Sequence, residues 1–418
     1  MRILLVTEDL PAPILAGAGG HAVLLGNALI ESGHHVEMLG RVRAAGVDTN
    51  HGFLGRLHAR IDLSRTGWKE HKLGVFLPMR RLHMAQRIWR AIKSLGGEWD
   101  VIHYHGHLPM LGALVPAKIN FVHTLHDQGS ECITKTRFRN GAPCTELNAA
   151  ACAGCAATNP NPIQAAVSAY TVRQYRTLAA KAFTRHQAIC VSGFIEKRLR
   201  EVLVDHYGLR TSVVHNFVDP SSINGATASA GVAAGKARLK PTATVFMAGR
   251  IDSTKGFGAL LSAIPAARLG EMQVRIAGDG PDLANLRNRY SQLGVEFLGW
   301  QDHDVVVAEA HAADVCVVPS ICEEACATTI LEALFLGKPV FALNRGGTPE
   351  LCRYERFTGQ LRLFPDMGSL AQALLSGLFA NLQPVEIRGD LAAVHYRLPE
   401  ILDIYRNGIE HVNAAGGN

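Results

Sequence analysis

The chain alternates short apolar runs with longer amphipathic segments. In the first half, apolar runs at residues 3–7 and 36–39 flank a helical pattern at 21–32. Further apolar runs lie at 101–105, 121–124, 188–191 and 212–214. Short apolar runs between turn residues predict buried strands, and the 3.6-residue period between them predicts helices. This alternation predicts a parallel, doubly wound α/β sheet.

The second half repeats the alternation after a break. Residues 221–237 are rich in Ser, Ala and Gly and show neither period, which predicts a linker. Strands are then predicted at 243–248, 274–277, 295–298, 315–318 and 340–342, with helices beginning near 259, 281, 304, 329 and 369. We therefore expect Rossmann-like domains at 1–220 and 242–394, and a C-terminal helix at about 395–418 that packs back on the first domain.

Composition agrees with two domains. A chain of 418 residues with 48% hydrophobic residues can build two cores. Ligands of doubly wound sheets bind beyond the carboxyl ends of the strands, so a cleft between the domains is the expected active site. The opening apolar run is shorter than a signal-peptide core, and no apolar stretch reaches the roughly 20 residues of a membrane helix. A cytoplasmic location is expected.

Positive charge is concentrated in one stretch. The chain carries a net charge of +6, and residues 56–93 contain ten Lys and Arg against two acidic residues. Such a stretch either meets an anionic partner or forms a solvated helix face. Of the anionic partners we expect peripheral contact with the inner face of a membrane, and no nucleic acid.

Two cations follow the first predicted strand of the second half. Arg250 and Lys255 lie just after that strand, next to Gly249 and Gly256. Arg offers a planar fork and Lys a mobile point charge, which together can hold a diphosphate. The alternative is two ordinary surface cations. Gly278 follows the next strand in a similar turn. It supports the interpretation as a ligand site, and simple turn chemistry is the alternative.

Gly17, Gly19 and Gly20 form a glycine-rich segment before the first predicted helix. It superficially resembles a dinucleotide fingerprint, but it lies too far from the strand, and the second strand lacks the ribose-binding acid. An NAD(P)-dependent oxidoreductase is therefore a weak alternative. The segment either offers backbone N–H groups to an anionic substrate or is a tight turn.

Two carboxylates lie eight residues apart after the strand at 315–318. Glu324 lies in a loop, and Glu332 lies about one turn inside the helix that begins near Thr328 and Thr329. Free N–H groups at that helix start favour phosphate, and the two acids can hold different parts of one ligand. Capping and solvation explain each residue singly but not the assembly.

These motifs resemble those of the retaining glycosyltransferases of family 4, which use nucleotide sugars and have the GT-B fold. The resemblance covers nearly the whole chain and includes residues 99–105, 124–127, 191–192, 214–219, 249–256, 278–281 and 324–332. The last segment is the most specific, because the family has the same glutamate spacing followed by the patterns seen here at 337–340 and 346–350.

The resemblance implies roles for individual residues. Glu324 is expected to contact the donor sugar, Glu332 the ribose, and Arg250 with Lys255 the diphosphate. His126 is expected to line the sugar site. Other donor contacts are expected at Gly17, Gly19, Gly20, Gly249, Gly278, Cys326, Ala327, Thr328 and Thr329. The family usually has Pro, an aromatic residue and Gly behind the first glutamate, whereas this chain has 325–327 as Ala-Cys-Ala, which leaves the donor sugar open.

The expected reaction moves a hexose-type sugar from a UDP- or GDP-sugar to a glycan, lipid-linked or small-molecule acceptor, with retention. Two cations and a helix N-terminus can stabilise the leaving diphosphate, so no divalent metal should be needed. A nucleotide-sugar epimerase on the same fold and a non-catalytic sugar binder are the alternatives. The presence of Arg250, Lys255, Glu324 and Glu332 together argues against a non-catalytic binder of sugars or of membrane surfaces.

Four cysteines cluster after His126. Cys132, Cys144, Cys152 and Cys155 end in a Cys-x2-Cys pair, a spacing that can chelate structural Zn²⁺. A subset of family 4 is similar in this spacing. Four unligated thiols in an Ala-rich loop are the alternative.

Overall fold

The computed structural model describes residues 1–10, 17–42, 50–63, 77–156, 161–203, 208–233, 243–382 and 391–416. The chain divides into two compact units. The first comprises Met1–Arg137, Cys144–His215 and His395–Asn418, and the second comprises Phe138–Pro143 and Asn216–Val394. The main division falls between His215 and Asn216.

The first unit is built on one parallel sheet. Its strands, among the described residues, are β1 (Arg2–Val6), β2 (His35–Arg41), β3 (Arg56–Ile61), β4 (Val101–His105), β5 (Phe121–Leu125), β8 (Gln187–Cys190) and β9 (Thr211–Val213), in the order β3-β2-β1-β4-β5-β8-β9. Between β5 and β8 the chain also forms a short antiparallel ribbon of β6 (Phe138–Arg139) and β7 (Ala142–Pro143), which belongs to the second unit. Every residue of β4 and β5 is buried, as expected for parallel strands covered on both faces.

Helices connect these strands. They are α1 (Gly17–Glu31), α2 (Leu77–Leu95), α3 (Leu111–Leu114), α4 (Ala153–Ala156), α5 (Pro162–Arg185) and α6 (Gly193–Val202). Asn161 begins α5 with a capping box: its side chain accepts the Gln164 N–H, and the Gln164 side chain accepts the Asn161 N–H.

The second unit repeats the plan. Its strands are β10 (Thr244–Ala248), β11 (Gln273–Ala277), β12 (Val295–Gly299), β13 (Val315–Val318), β14 (Val340–Leu343) and β15 (Leu361–Phe364), all parallel, in the order β12-β11-β10-β13-β14-β15 within the described chain. Its helices are α7 (Pro220–Ala233), α8 (Phe257–Ala263), α9 (Ala266–Leu269), α10 (Leu283–Tyr290), α11 (His303–Ala312), α12 (Thr328–Phe335) and α13 (Met367–Leu375). The doubly wound α/β prediction is confirmed for both units.

The last helix, α14 (Val394–Gly416), belongs to the first unit from His395 onward. Tyr405 anchors it there: its hydroxyl lies 2.6 Å from His103 Nδ1 in β4, and its carbonyl accepts a 2.9 Å hydrogen bond from Asn120. Tyr405 is fully buried, so this contact lies inside the unit rather than on its surface.

The linker predicted at 221–237 is wrong over its described part, because residues 220–233 form α7. Pro220 at the first helical position has no N–H to satisfy, and Asp219 Oδ1 accepts the Ser221 N–H at 2.9 Å. The helix packs against α11, and among its described side chains Ile223 and Ala226 are buried, so tertiary packing supports a weakly periodic sequence. Residues 234–237 lie outside the described residues.

Among the described residues of the basic stretch at 56–93, three arginines are engaged in hydrogen bonds within the first unit. Arg81 is buried, and its guanidinium donates to the Tyr175 hydroxyl at 3.0 Å. Arg87 donates to the Asp62 carbonyl at 2.6 Å, and Arg60 donates to the Ser94 carbonyl. Arg65, Lys69 and Lys72 lie outside the described residues. Membrane contact through this stretch stays a prediction, and within the described chain no helix is long and apolar enough to span a membrane.

Candidate active site

The candidate site residues of the second unit gather at the carboxyl ends of adjacent strands. In that sheet β10 pairs with β11 on one side and with β13 on the other, so the strand order reverses between β10 and β13. Ligands of doubly wound sheets bind at this switch point. Arg250 and Lys255 follow β10, and Glu324 follows β13, so the topology brings the predicted residues to one edge.

Lys255 and Glu324 form an ion pair at this edge. Lys255 Nζ donates to Glu324 Oε1 at 2.6 Å, and the Ser320 hydroxyl donates to the same oxygen at 2.5 Å. Burial alone would lower the pKa of Lys255, but the nearby Glu324 carboxylate outweighs it and raises the pKa above its usual value. Lys255 is therefore a cation throughout the physiological pH range, and it lies beside the Glu324 carboxylate at this edge of the sheet.

Arg250 lies apart from this pair. Its side chain is 72% exposed, and its Nε lies 3.2 Å from Asp252 Oδ2. The other oxygen of Asp252 accepts N–H groups from Thr254 at 2.9 Å and Lys255 at 3.3 Å, which caps the short 3-10 turn that carries Lys255. Asp252 therefore links the two cations through one carboxylate.

Glu332 lies one turn inside α12 and is held by a histidine. His303, the first residue of α11, has Nε2 3.0 Å from Glu332 Oε1. Glu332 also lines a small pocket with Thr329, Phe246 and Ala248. The sequence motifs did not indicate His303.

Hydrogen bonds from Gly346, Gly347 and Asn216 hold the loop that carries Glu324. The Gly346 N–H donates to the Glu323 carboxylate, and the Gly347 N–H donates to the Glu324 carbonyl at 2.7 Å. Asn216 Nδ2 donates to the Cys326 carbonyl at 3.1 Å. Sequence reasoning did not assign Glu323 or Asn216 to the site, although Asn216 lies in one of the motifs that match the family.

The alanine that replaces the family's glycine is not strained. Ala327 has φ −72° and ψ 104°, a conformation that any L-residue adopts, and it directly precedes α12. Thr328 and Thr329 open the helix behind it, as predicted. At position 327 the alanine therefore needs no backbone strain, and its Cβ is the difference from the glycine that the family usually has there.

Gly249 and Gly278 contact each other. The Gly249 N–H donates to the Ala277 carbonyl at 3.0 Å, and a Cβ on Gly278 would lie 1.9 Å from the Gly249 carbonyl oxygen. Both residues have φ near +145°, which favours glycine. The structure gives them a role in packing the loops after β10 and β11, and a donor contact at these positions stays a prediction.

In the first unit, the predicted glycine loop is instead the first turn of a helix. We expected a loop through Gly17, Gly19 and Gly20 and a helix from 21, but α1 begins at Gly17. This prediction was wrong because glycine's low helix propensity is overridden where the segment is packed: Gly19 is buried. Donor binding by these glycines stays a prediction.

His126, which is half-buried, belongs to a cluster with the buried His21 and His105 in the first unit. His105 Nδ1 lies 3.1 Å from His126 Nε2, and the rings of His21 and His126 meet edge to face at 4.9 Å. Burial lowers the pKa of all three, that of His21 to about 4, so the imidazoles are neutral. Among the described residues they are the one group of three or more His, Cys, Asp or Glu with ligand atoms within 4.8 Å of one another.

The four clustered cysteines are free thiols. Cys152 lies near Cys132 and Cys144: burial raises its pKa and the other two thiols add to the effect, while Arg176, 3.5 Å from Cys152 Sγ, opposes it. In a tetrahedral zinc site the sulfur atoms would lie about 3.8 Å apart. No three described thiols approach within even 4.8 Å, so zinc binding stays a prediction.

Gly346→Ala should disrupt the glutamate loop. Gly346 has φ +56°, and a Cβ there would lie 2.2 Å from the Glu324 carbonyl oxygen. Left-handed strain plus overlap should lower the free energy of unfolding by about 2 to 4 kcal/mol. Gly337→Ala is the matched control, since φ is +72° but nothing lies within 4 Å of the added carbon, and about 1 kcal/mol is expected. Equal losses in denaturant unfolding of the two variants would contradict the clash.

Known protein families match both halves of the chain. Residues 242–378 match the protein family described as glycosyl transferases group 1, and residues 15–222 match glycosyltransferase family 4. Glycogen synthase of Mycobacterium tuberculosis (strain CDC 1551 / Oshkosh) is 24% identical over 368 residues, which are 84% of this chain and 80% of that protein.

Solved structures show the same fold. Sucrose-phosphate synthase from Thermosynechococcus elongatus matches with a TM-score of 0.63 at 20% identity, over 99% of this chain and 94% of that one. Anabaena Alr3699/HepE in complex with UDP and glucose matches with a TM-score of 0.59 at 17% identity, over 99% and 100% of the two chains. With two parallel-sheet α/β units and family matches that together cover most of its length, the chain has the GT-B fold and is a nucleotide-sugar glycosyltransferase.

Proposed function

We propose that this glycosyltransferase moves a hexose-type sugar, with retention, from a UDP- or GDP-sugar to a hydroxyl of a glycan, lipid-linked or small-molecule acceptor. One observation carries the proposal: a fixed cation and a carboxylate, Lys255 and Glu324, pair at 2.6 Å at the switch point of the second sheet. As a sugar–diphosphate bond breaks, the diphosphate gains negative charge, which a cation stabilises. The sugar gains positive charge, which a carboxylate stabilises.

The leaving group is the first side. As the bond breaks, negative charge grows on the diphosphate, and Lys255, Arg250 and the N–H groups at the start of α12 are the groups that would stabilise it. This charge supply is the reason to propose chemistry without an obligatory divalent metal. Arg250 is the exposed member of this set, and its Nε lies 3.2 Å from the Asp252 carboxylate.

The sugar is the second side. Positive charge grows at the anomeric carbon, and the Glu324 carboxylate would stabilise it. Among the described residues at this edge of the sheet, Glu324 is our candidate for that role, while Glu332 is assigned to the ribose. With one carboxylate at the sugar we favour transfer on the same face over a double displacement through two carboxylates. His126 as a wall of the sugar site stays a prediction.

The relatives suggest which ligands to try. The Anabaena structure holds UDP and glucose, and the mycobacterial relative is a glycogen synthase, so UDP and a glucan are the first donor nucleotide and acceptor to test. Calorimetric titration with UDP, GDP and ADP should show one nucleotide binding in the micromolar range. Absence of binding of all three up to millimolar concentrations would refute the proposed donor site. Arg268→Ala, which removes an exposed cation paired with Glu271, should bind normally.

Structural zinc at the cysteine cluster is a separate proposal. Thiolates are the ligands that zinc prefers, and Arg176 beside Cys152 suits a site of net negative charge. We expect about one zinc per chain in reduced, freshly purified protein, lost together with stability in a Cys152→Ser, Cys155→Ser variant. Cys352→Ser, outside the cluster, should keep the metal. Elemental analysis that finds no zinc in the unaltered protein would overturn this proposal.

A further inference from the structure

His303 and Glu332 bridge two helices at the rim of the candidate site. His303 begins α11, and Glu332 lies in α12, so their 3.0 Å hydrogen bond joins two fixed elements. The imidazole is 50% exposed and the carboxylate 19% exposed. The pair is therefore reachable from solvent, unlike the buried polar groups that only support a fold.

The negative charges of three acidic residues, Asp304, Glu332 and Asp219, act on this histidine. On its own helix, Asp304 Oδ1 lies 3.9 Å from His303 Nδ1. Glu332 lies on α12. Asp219 directly precedes α7, which packs against α11, and its negative charge also acts on His303. The hydrogen bond to Glu332 raises the pKa of His303 above 6.5 with help from these charges, although burial opposes it.

We propose that His303 is a positioning residue of the donor site, which fixes the Glu332 carboxylate and makes nucleotide affinity depend on pH. The proposal rests on the ribose role proposed above for Glu332. With Oε1 held by His303, the carboxylate has one orientation, and Oε2 remains to accept from ribose hydroxyls. The protonated ring also adds a positive charge close to an anionic ligand.

The sign of the pH effect follows from the direction of the shift. A histidine whose pKa is raised is charged at low pH and loses its charge as pH rises through that pKa. Affinity for the nucleoside diphosphate should therefore fall as pH rises above 6.5. On deprotonation the ring can keep Nε2–H as a donor to Glu332, but it loses its positive charge, and the weaker neutral hydrogen bond corresponds to about a 2- to 10-fold rise in Kd.

Two substitutions separate positioning from charge. His303→Gln keeps a donor for Glu332 but cannot titrate, so it should bind the nucleotide with a Kd that lacks the histidine's pH dependence. His303→Ala loses both and should bind about 2- to 10-fold more weakly near neutral pH. His311→Gln, on the last turn of the same helix, is the control and should behave like the unaltered enzyme.

The experiment is calorimetric titration of each protein with UDP, GDP and ADP between pH 6 and 9, with thermal melts to confirm folding. Ionisation of the nucleotide itself is common to all variants, so the difference between the unaltered enzyme and His303→Gln isolates the histidine. Equal pH profiles for these two proteins, or normal affinity in His303→Ala, would overturn the inference. Normal affinity in Glu332→Gln would instead refute the ribose assignment on which it rests.

Discussion

Lys255→Ala is expected to lower turnover by about 10²- to 10³-fold while the fold stays intact, which is the usual loss when one group that stabilises developing charge is removed. Lys255 is half-buried and held by Glu324 and by the Asp252-capped turn, so its charge has a fixed position at the end of β10. Steady-state rates of nucleoside diphosphate release, with a thermal melt of each protein, measure the effect.

Two further variants, one a second test and one a control, check the assignment of Lys255 to the leaving group. Arg250→Ala should also lose orders of magnitude in turnover, since the proposal assigns both cations to the leaving group. Arg268→Ala removes a cation from an exposed ion pair with Glu271 elsewhere in the second unit and should leave turnover unchanged. Near-normal rates in Lys255→Ala or Arg250→Ala would remove that residue from the leaving-group assignment.

Glu324→Gln is expected to damage turnover far more than nucleotide binding. The carboxylate acts on charge that develops at the sugar only near the transition state, so its loss should cost about 10²-fold or more in kcat. The amide oxygen can still accept from Lys255, and Lys255 is freed from a charged partner. Affinity for the nucleoside diphosphate should therefore be kept or slightly increased.

Glu332→Gln should show the opposite weighting. Its carboxylate is assigned to the ribose, a contact present in the ground state, so nucleotide Kd should rise along with any loss of rate. Calorimetric titration beside turnover measurements separates the two variants. If Glu324→Gln loses nucleotide affinity while Glu332→Gln keeps it, the two roles have been assigned the wrong way round.

The sequence was most informative where strands are buried on both faces. Runs such as 101–105 and 315–318 are continuously apolar or aromatic, and strands β4 and β13 lie where they were predicted. β3 was missed because its sequence, Arg56–Ile61, carries charges and mostly lacks buried side chains, as an edge strand can. Helix α7 was missed because tertiary packing of Ile223 and Ala226, not periodicity, holds it.

The site was predictable in part. Lys255 and Glu324 are far apart in sequence, yet their pairing follows from two strand ends meeting at one sheet edge, which the alternating pattern implies. His303 and Glu323 were not predictable, because the contacts that place them arise only in three dimensions: His303 with Glu332 across two helices, and Glu323 with the Gly346 N–H. The glycines predicted as donor contacts, Gly249 and Gly278, had a packing role that the sequence did not reveal.

The most direct test of the central claim is incubation of the purified enzyme with UDP-, GDP- and ADP-sugars, with detection of nucleoside diphosphate and of the released or transferred sugar. One donor should be hydrolysed slowly without acceptor and consumed faster with an added glucan or other acceptor, and the sugar should keep its anomeric configuration. The same signal should be lost in Lys255→Ala and Glu324→Gln. Isomerisation of a donor without release of its nucleotide, or turnover that both variants keep, would contradict the central claim.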